Sequence, residues 1–360
     1  MHPEFKEEGD TEMKSPRTRK LFGALVAALA ISLTSRVAPA YAVGGGSDTT
    51  DRFLNGTHIN VGIQQNGTFG SVGNAPVGMH TRPGSGASWS TAGDARVGFT
   101  YDNGDGWGTG ADIGDFFLPG SPYEGFALQV GLAEPARNAG TGQSGLGLGT
   151  WSACDGVCET WTMDTAFNGI GLVQAYSIVG DDVLKSHVTL TNTTSSTIND
   201  IYFSRCVDPD NIEADEAENY DTYNSVTKTI ADDGIAAAMA TATFGGVESA
   251  LSVFSPAPTA RANVGCDRLN AADNWNGVEG LVQLKGEPIQ DDTNIGLTVK
   301  IASLAAGAST SFDLSYGLSP TAGSLPSTNT EWSPMSAILA ISAALVAAAG
   351  VLRVKRERSV

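Results

Sequence analysis

Away from its two ends the chain has no long stretch in which apolar residues return every 3.6 positions. It has short runs rich in β-branched and aromatic side chains, divided by Gly, Asn and Asp. That pattern directs the backbone to strands, because strand side chains alternate between two faces and one face can be apolar while the other is wet. GLVQAYSIV (171–179), the triplet Gly180-Asp181-Asp182 and VLKSHVTLTN (183–192) read as a hairpin, since the triplet tolerates the positive φ of tight loops. TTSST reads as a second turn and INDIYFSRCV (198–207) as a third strand, which together predict a meander. GLTVKI (296–301), the turn Ala305-Ala306-Gly307 and TSFDLSYGL (310–318) repeat the device, with Phe312, Leu314 and Tyr316 alternating against Ser311, Asp313 and Ser315. Few Lys and Arg beside many Gly, Ser, Thr and Asn argue against a helical bundle. The expected fold class is all-β, a large antiparallel β-sandwich flanked by an N-terminal signal helix and a C-terminal transmembrane helix.

The two ends differ in kind from the body. Lys14, Arg17, Arg19 and Lys20 precede the apolar LFGALVAALAISL (21–33), and Ala38-Pro39-Ala40 or Ala40-Tyr41-Ala42 supplies small residues for cleavage. This is the three-part layout of a secretory signal, so residues 1–42 are read as leader and signal peptide, with Met13 an alternative start. At the other end MSAILAISAALVAAAGVL (335–352) is uncharged, and its 18 residues, at about 1.5 Å each, just cross a hydrocarbon core of about 30 Å. Arg353, Lys355, Arg356 and Arg358 follow in the tail 353–360 and favour the cytoplasmic side. The body, residues 43–318, then lies outside, with a sub-boundary near 150 left open. Residues 319–334, carrying Pro320, Pro326 and Pro334, read as a flexible stalk.

Leu325-Pro326-Ser327-Thr328 resembles the start of the sortase motif LPxTG, with Asn329 where that motif has Gly. The resemblance implies cleavage after Thr328 by a sorting peptidase and transfer to the cell wall. The same stretch, Pro326 followed by Glu331-Trp332 and the apolar span, is similar to the IPTL-type tail of Gram-negative surface proteins, with one extra residue between Pro and Glu-Trp. A cut tail and an uncut membrane anchor both remain open. TLTNTTSSTINDIYFSRCVDPDN and SLAAGASTSFDLSYGL resemble β-sandwich ectodomains of bacterial secreted and surface proteins. That implies a large sandwich, of the supersandwich kind among its forms, and brings no catalytic residue with it.

Residues 43–324 hold 11 Lys or Arg against 32 Asp or Glu, a net −21. Such a field repels phosphate backbones and excludes nucleic acid as a partner. Cys154, Cys158, Cys206 and Cys266 make an even set in an exported body, which reads as two disulfides. Three pairings are open; the favoured one closes the tight CDGVC loop with Cys154–Cys158 and staples distant segments with Cys206–Cys266. A four-thiolate zinc site fits poorly, because C-x3-C is not the usual knuckle spacing.

Residues 208–225 read as a polar excursion whose carboxylates Asp208, Asp210, Glu213 and Asp215 form the calcium candidate, since calcium accepts six to eight oxygens in flexible geometry. Asp102, Asp105, Asp112 and Asp115 form a second, and a solvated acidic loop is the plainer account of each. His187 stands opposite in phase to Val188 and Leu190 and is expected to face outward. Trp107, Trp151, Trp161 and Trp275 lie near polar residues, where rings serve either as a sugar platform or as core anchors. The chain holds no G-x-S-x-G, H-E-x-x-H or P-loop. These features lead to the expectation of a non-enzymatic surface protein, held by the cell envelope for adhesion or envelope structure. The alternative is a carbohydrate-binding protein or glycan-active enzyme, with polysaccharide or another surface protein as the partner.

Overall fold

The strands come in three groups along the chain. First are β1 (Tyr41–Gly44), β2 (Arg52–Asn55), β3 (Ile59–Ile63), β4 (Thr81–Gly84), β5 (Ser88–Ser90) and β6 (Phe99–Tyr101). Next are β7 (Glu124–Val130), β8 (Ala136–Ala139), β9 (Gln143–Ser144), β10 (Thr150–Ala153), β11 (Cys158–Thr162), β12 (Ile170–Val179), β13 (Val183–Asn192) and β14 (Ile198–Val207). Last are β15 (Thr222–Lys228), helix α1 (Ile230–Asp233), β16 (Ala236–Phe244), β17 (Val247–Ser255), β18 (Ala260–Val264), helix α2 (Ala271–Asn276), β19 (Ile289–Asp291), β20 (Ile295–Leu304) and β21 (Ser309–Ser319). This computed structural model describes residues 41–319 except 45–49, 78, 80, 85–87, 91–95, 103–114, 119–122, 141–142, 155–156, 181, 211–220, 245–246, 267–269 and 279. Residues 1–40 of the expected signal peptide, residues 320–334 of the expected stalk with Leu325, Pro326, Thr328 and Asn329, the apolar run 335–352 and the basic tail lie outside the described residues. Among the described residues no helix is long and apolar enough to cross a membrane.

The fold is an all-β sandwich with antiparallel pairing throughout. Nine strands form one sheet in the order β10-β11-β12-β13-β21-β17-β16-β15-β19, six form another as β18-β20-β14-β7-β8-β9, and four form a third as β1-β2-β3-β6. The sheets share one apolar core: Leu54, Ile59, Val61 and Phe99 from the small sheet, Trp161, Leu172, Tyr176 and Leu184 from the nine-stranded sheet, Phe126, Leu128 and Phe203 from the six-stranded one. β7, before residue 150, pairs with β14, after it, so no domain boundary falls there. The folded body also starts earlier than residue 43, because Tyr41 and Ala42 pair with Asn55 and Leu54.

β12 and β13 form the expected hairpin, paired from Ile170↔Asn192 to Val179↔Val183. The meander does not continue. β14 leaves β13 and joins β7 and β20 in the other sheet, while β13 pairs with β21. TTSST and Ala305-Ala306-Gly307 are therefore crossovers between sheets, lying side by side. Asn192, fully buried, pins them: its Nδ2 donates to the carbonyls of Ser196 at 2.7 Å and Leu304 at 2.9 Å, and its backbone bonds Ala308 and Gly307. The sequence pattern looked like hairpins because a short turn between two alternating strands is the same signal in both topologies. What moves β14 across is its burial on both faces from Ile201 to Val207, which an outer strand of a meander does not need. Asp200 takes φ 51° at the point where β14 passes from its exposed to its buried half, and the β14–β20 register keeps the same offset on both sides of it.

On the outer face of the six-stranded sheet lies α2, packing Ala271, Ala272 and Trp275 on Ala127 and Tyr202. Asn270 caps it by accepting from the Asp273 N–H at 3.1 Å, and Gly277 ends it at φ 72°, a conformation glycine adopts without cost. Between Cys266 and Asn294 the chain thus runs as a strap from the six-stranded sheet, which α2 covers, to the edge of the nine-stranded sheet, where β19 pairs with β15. Cys206 on β14 is bonded to Cys266 at its start, and Cys154 is bonded to Cys158 between β10 and β11. All four cysteines are oxidised, which indicates an extracellular, oxidising environment and leaves no thiolates for zinc.

Candidate functional site

The most deeply buried ion pair of the described residues lies inside the core. In INDIYFSRCV, Arg205 shares the strand phase of Ile201, Phe203 and Val207, so it must point inward with them. There its Nε donates to Glu124 Oε1 at 2.9 Å and its Nη2 to Oε2 at 2.8 Å, with side chains 1% and 0% exposed. Its Nη1 donates to Gln174 Oε1 at 2.9 Å, and the guanidinium lies over Phe69, 4.2 Å from the ring centre. Tyr316 Oη donates to Glu124 Oε1 at 2.7 Å, the Phe69 N–H to Oε2 at 2.8 Å, and Tyr176 Oη to the Gly67 carbonyl at 2.7 Å. Burial pushes both phenols above their ordinary values, with Glu124 adding to the rise and Arg205 opposing it. Burial alone would depress the Arg205 guanidinium, but Glu124 together with the Tyr316 and Tyr176 phenols outweighs it and holds the group protonated. The network takes residues from the nine-stranded and six-stranded sheets and from the turn after β3. The strand phase of Arg205 was visible in the sequence; its partner Glu124 was not.

Among the described residues the acidic cluster holds two of the expected carboxylates, Asp208 and Asp210, and one that the sequence did not suggest, Asp292. Asp208 and Asp210 follow β14 and are buried; Asp292 follows β19 and is exposed. One carboxylate oxygen from each lies within 4.8 Å of the others. The Asp208 N–H bonds the Tyr123 carbonyl at 2.9 Å, which fixes the end of β14 against the start of β7. Glu213 and Asp215 lie outside the described residues. Asp292 was missed because it stands far along the chain, and only the pairing of β19 with β15 and of β20 with β14 returns it to this place. Three carboxylates so close repel one another unless a cation or protons intervene, and hard oxygen donors of this kind suit calcium. The cluster lies at the far end of the strap that Cys206–Cys266 fastens.

The other candidates resolve into structural parts. Asp115 is fully buried, and its carboxylate accepts from the backbone N–H groups of Gly98, Phe99, Phe117 and Leu118 at 2.7–3.2 Å, leaving little for an ion. Asp102 is buried at the end of β6, and Asp105 and Asp112 lie outside the described residues. His187 faces outward and its Nδ1 lies 2.6 Å from Asp313 Oδ1; His58 pairs likewise with Asp182 at 3.0 Å. Trp161 is a core residue, with Nε1 donating to the carbonyls of Leu148 and Gln65. Trp275 is half-buried with the Arg261 guanidinium 3.7 Å from its ring centre and the Lys300 ammonium 5.0 Å away. Trp151 lies under Arg52, which also reaches Glu159 at 3.7 Å; burial raises the Glu159 carboxyl and Arg52 opposes the rise. Trp107 lies outside the described residues. The N–H groups of Trp161 and Trp275 are thus engaged by protein carbonyls, whereas the buried Trp151 Nε1 has no hydrogen-bond partner among the described residues.

No family model and no curated protein matches this sequence. Among solved structures, a polysaccharide lyase is similar at 13% identity and a TM-score of 0.35, over 62% of this chain and 30% of that one. A galactose mutarotase related enzyme from Lactobacillus acidophilus is similar at 9% and 0.33, over 77% and 99%. An inverting mannosidase of family GH92 from Bacteroides thetaiotaomicron is similar at 13% and 0.31, over 71% and 27%. The chain thus spans under a third of the length of the lyase and of the mannosidase.

Proposed function

We propose that the chain is an exported β-sandwich protein held at the cell surface, with an adhesive or envelope-structural role. The observation that carries the reading is the use made of Arg205 and Glu124. The guanidinium and the carboxyl group are buried and hydrogen-bonded to each other and to Gln174 and Tyr316, so this pair serves cohesion. Two disulfides, one of them fastening a strap that joins two sheets, suit a body that must persist outside the cell. The stalk, the LPSTN stretch and the span 335–352 supply the means of display. In the cleaved form a sorting peptidase acts after Thr328; in the uncut form the span stays in the membrane. Calcium between Asp208, Asp210 and Asp292 ties the strap's far end to β14, and only the folded chain assembles that cluster.

A second reading, binding of extracellular polysaccharide, draws on Tyr223, a ring 49% exposed on β15 beside the edge strand β19. Incubating the exported protein with cell-wall and extracellular polysaccharides separates the readings. We expect neither pull-down nor release of reducing sugar. Pull-down lost in Tyr223→Ala favours the second reading, and release of sugar overturns the first.

A further inference from the structure

The chain contains three Asn-x-Thr triplets: Asn55-Gly56-Thr57, Asn66-Gly67-Thr68 and Asn192-Thr193-Thr194. In an exported protein this triplet is the acceptor pattern for N-linked glycans. The donor is an oligosaccharide on a lipid pyrophosphate. The Asn amide nitrogen attacks the sugar's C1, the new N–C bond forms, and the C–O bond to phosphate breaks with its electron pair leaving on the lipid pyrophosphate. The nitrogen gives up one proton to the transferase and keeps one. An acceptor must therefore have its amide and the hydroxyl two residues on within reach of an enzyme.

Folding removes two of the three. Asn66 is 4% exposed; its Nδ2 donates to the Ala139 carbonyl at 3.1 Å, and its Oδ1 accepts from the Thr68 hydroxyl at 2.7 Å. Thr68 itself is fully buried. Asn192 is fully buried as the pin of the two crossovers, with its Nδ2 bonded to both Ser196 and Leu304, and its Oδ1 accepts from the Thr194 N–H and hydroxyl. A sugar on either nitrogen would displace hydrogen bonds that join different parts of the sandwich.

Asn55 differs in every respect that matters. It ends β2 at the tip of the β2–β3 hairpin, where the Gly56 N–H closes the turn on the Ile59 carbonyl at 2.8 Å. Its side chain is half-buried, Thr57 is exposed, and among the described residues no hydrogen bond ties either side chain. We propose that Asn55 is the N-glycan acceptor of the folded protein, and that folding withholds Asn66 and Asn192 from modification. The proposal rests on export of the body.

The test secretes the full chain from a host that N-glycosylates. Glycans are released with a peptide amidase in heavy-oxygen water, which turns each formerly glycosylated Asn into a labelled Asp. The expected result is label on the Asn55 peptide, none on the Asn66 and Asn192 peptides, and a gel shift that Thr57→Ala loses with no change in melting midpoint. An unlabelled Asn55 in protein with both disulfides formed overturns the proposal and leaves export standing. Label on Asn66 or Asn192 in the same disulfide-bonded protein overturns the protection argued for them. Protein retained in the cytosol with reduced thiols sinks the export reading instead.

Discussion

Replacing Glu124 by Leu tests what the sealed charge pair contributes. The substitution removes the bidentate partner of Arg205 and leaves a guanidinium buried without its counter-charge, a change that costs about 3–5 kcal/mol in a dry interior. It also strips the acceptor from Tyr316 Oη and from the Phe69 N–H, both within 2.8 Å of the carboxylate. Each buried donor left unsatisfied costs a further ~1–3 kcal/mol. Together these approach the whole stability of an ordinary domain, about 5–15 kcal/mol. The double variant Glu124→Leu/Arg205→Met removes both charges, so the largest of these costs disappears while Tyr316 and Phe69 stay unsatisfied. It should be more stable than Glu124→Leu alone. Urea unfolding followed by tryptophan fluorescence reads this directly, since Trp161 lies in the same core with Phe126 at 5.5 Å. A single variant weaker than wild type by less than about 1 kcal/mol, or a double variant whose loss equals the sum of the two singles, would show that the pair is not the electrostatic centre of the core.

Three further outcomes follow from the same geometry. Cys206→Ser opens a link spanning 60 residues and should cost about 4 kcal/mol, whereas Cys154→Ser opens one spanning 4 and should cost about 2; paired thermal melts rank them, and the reverse order contradicts the strap. Tyr176 and Tyr316 bind protons more tightly folded than unfolded, so their contribution is fully present below about pH 10 and is lost as pH rises above it, at a slope of about 2.7 kcal/mol per pH unit for the two. Alkaline melts should show that slope halved in Tyr316→Phe, and an unchanged slope contradicts the burial argument. Calcium should raise the melting midpoint of the wild type and chelator should lower it, with both effects lost in Asp292→Asn; a midpoint indifferent to calcium retires the site.

Strand positions were legible where alternation was strong. β12, β13 and β21 fall where apolar and polar residues alternate, and Phe312, Leu314 and Tyr316 are buried as their phase requires, although Ser315 opposite them is buried too. Sheet membership was not legible, because it depends on β13 meeting β21 and β14 meeting β20, partners far along the chain that a local pattern cannot name. The two short helices escaped notice for a related reason: four and six residues are too few to establish a period. At the acidic cluster the sequence offered Asp208 and Asp210, which the fold brings together, and Glu213 and Asp215, which lie outside the described residues; it could not offer Asp292, a neighbour in space but not in the chain. The cysteines were more readable, since an adjacent pair and a distant pair leave few ways to close two bonds.

Everything functional in this account depends on an acidic sandwich that matures outside the cytosol. The intact mass of protein recovered from its own cells, alkylated without reductant, tests that most directly. The account predicts a chain that begins at Tyr41, the first residue of β1, and takes up no alkyl group because all four cysteines are bonded. A chain still carrying residues 1–40 with four alkylated thiols would contradict it.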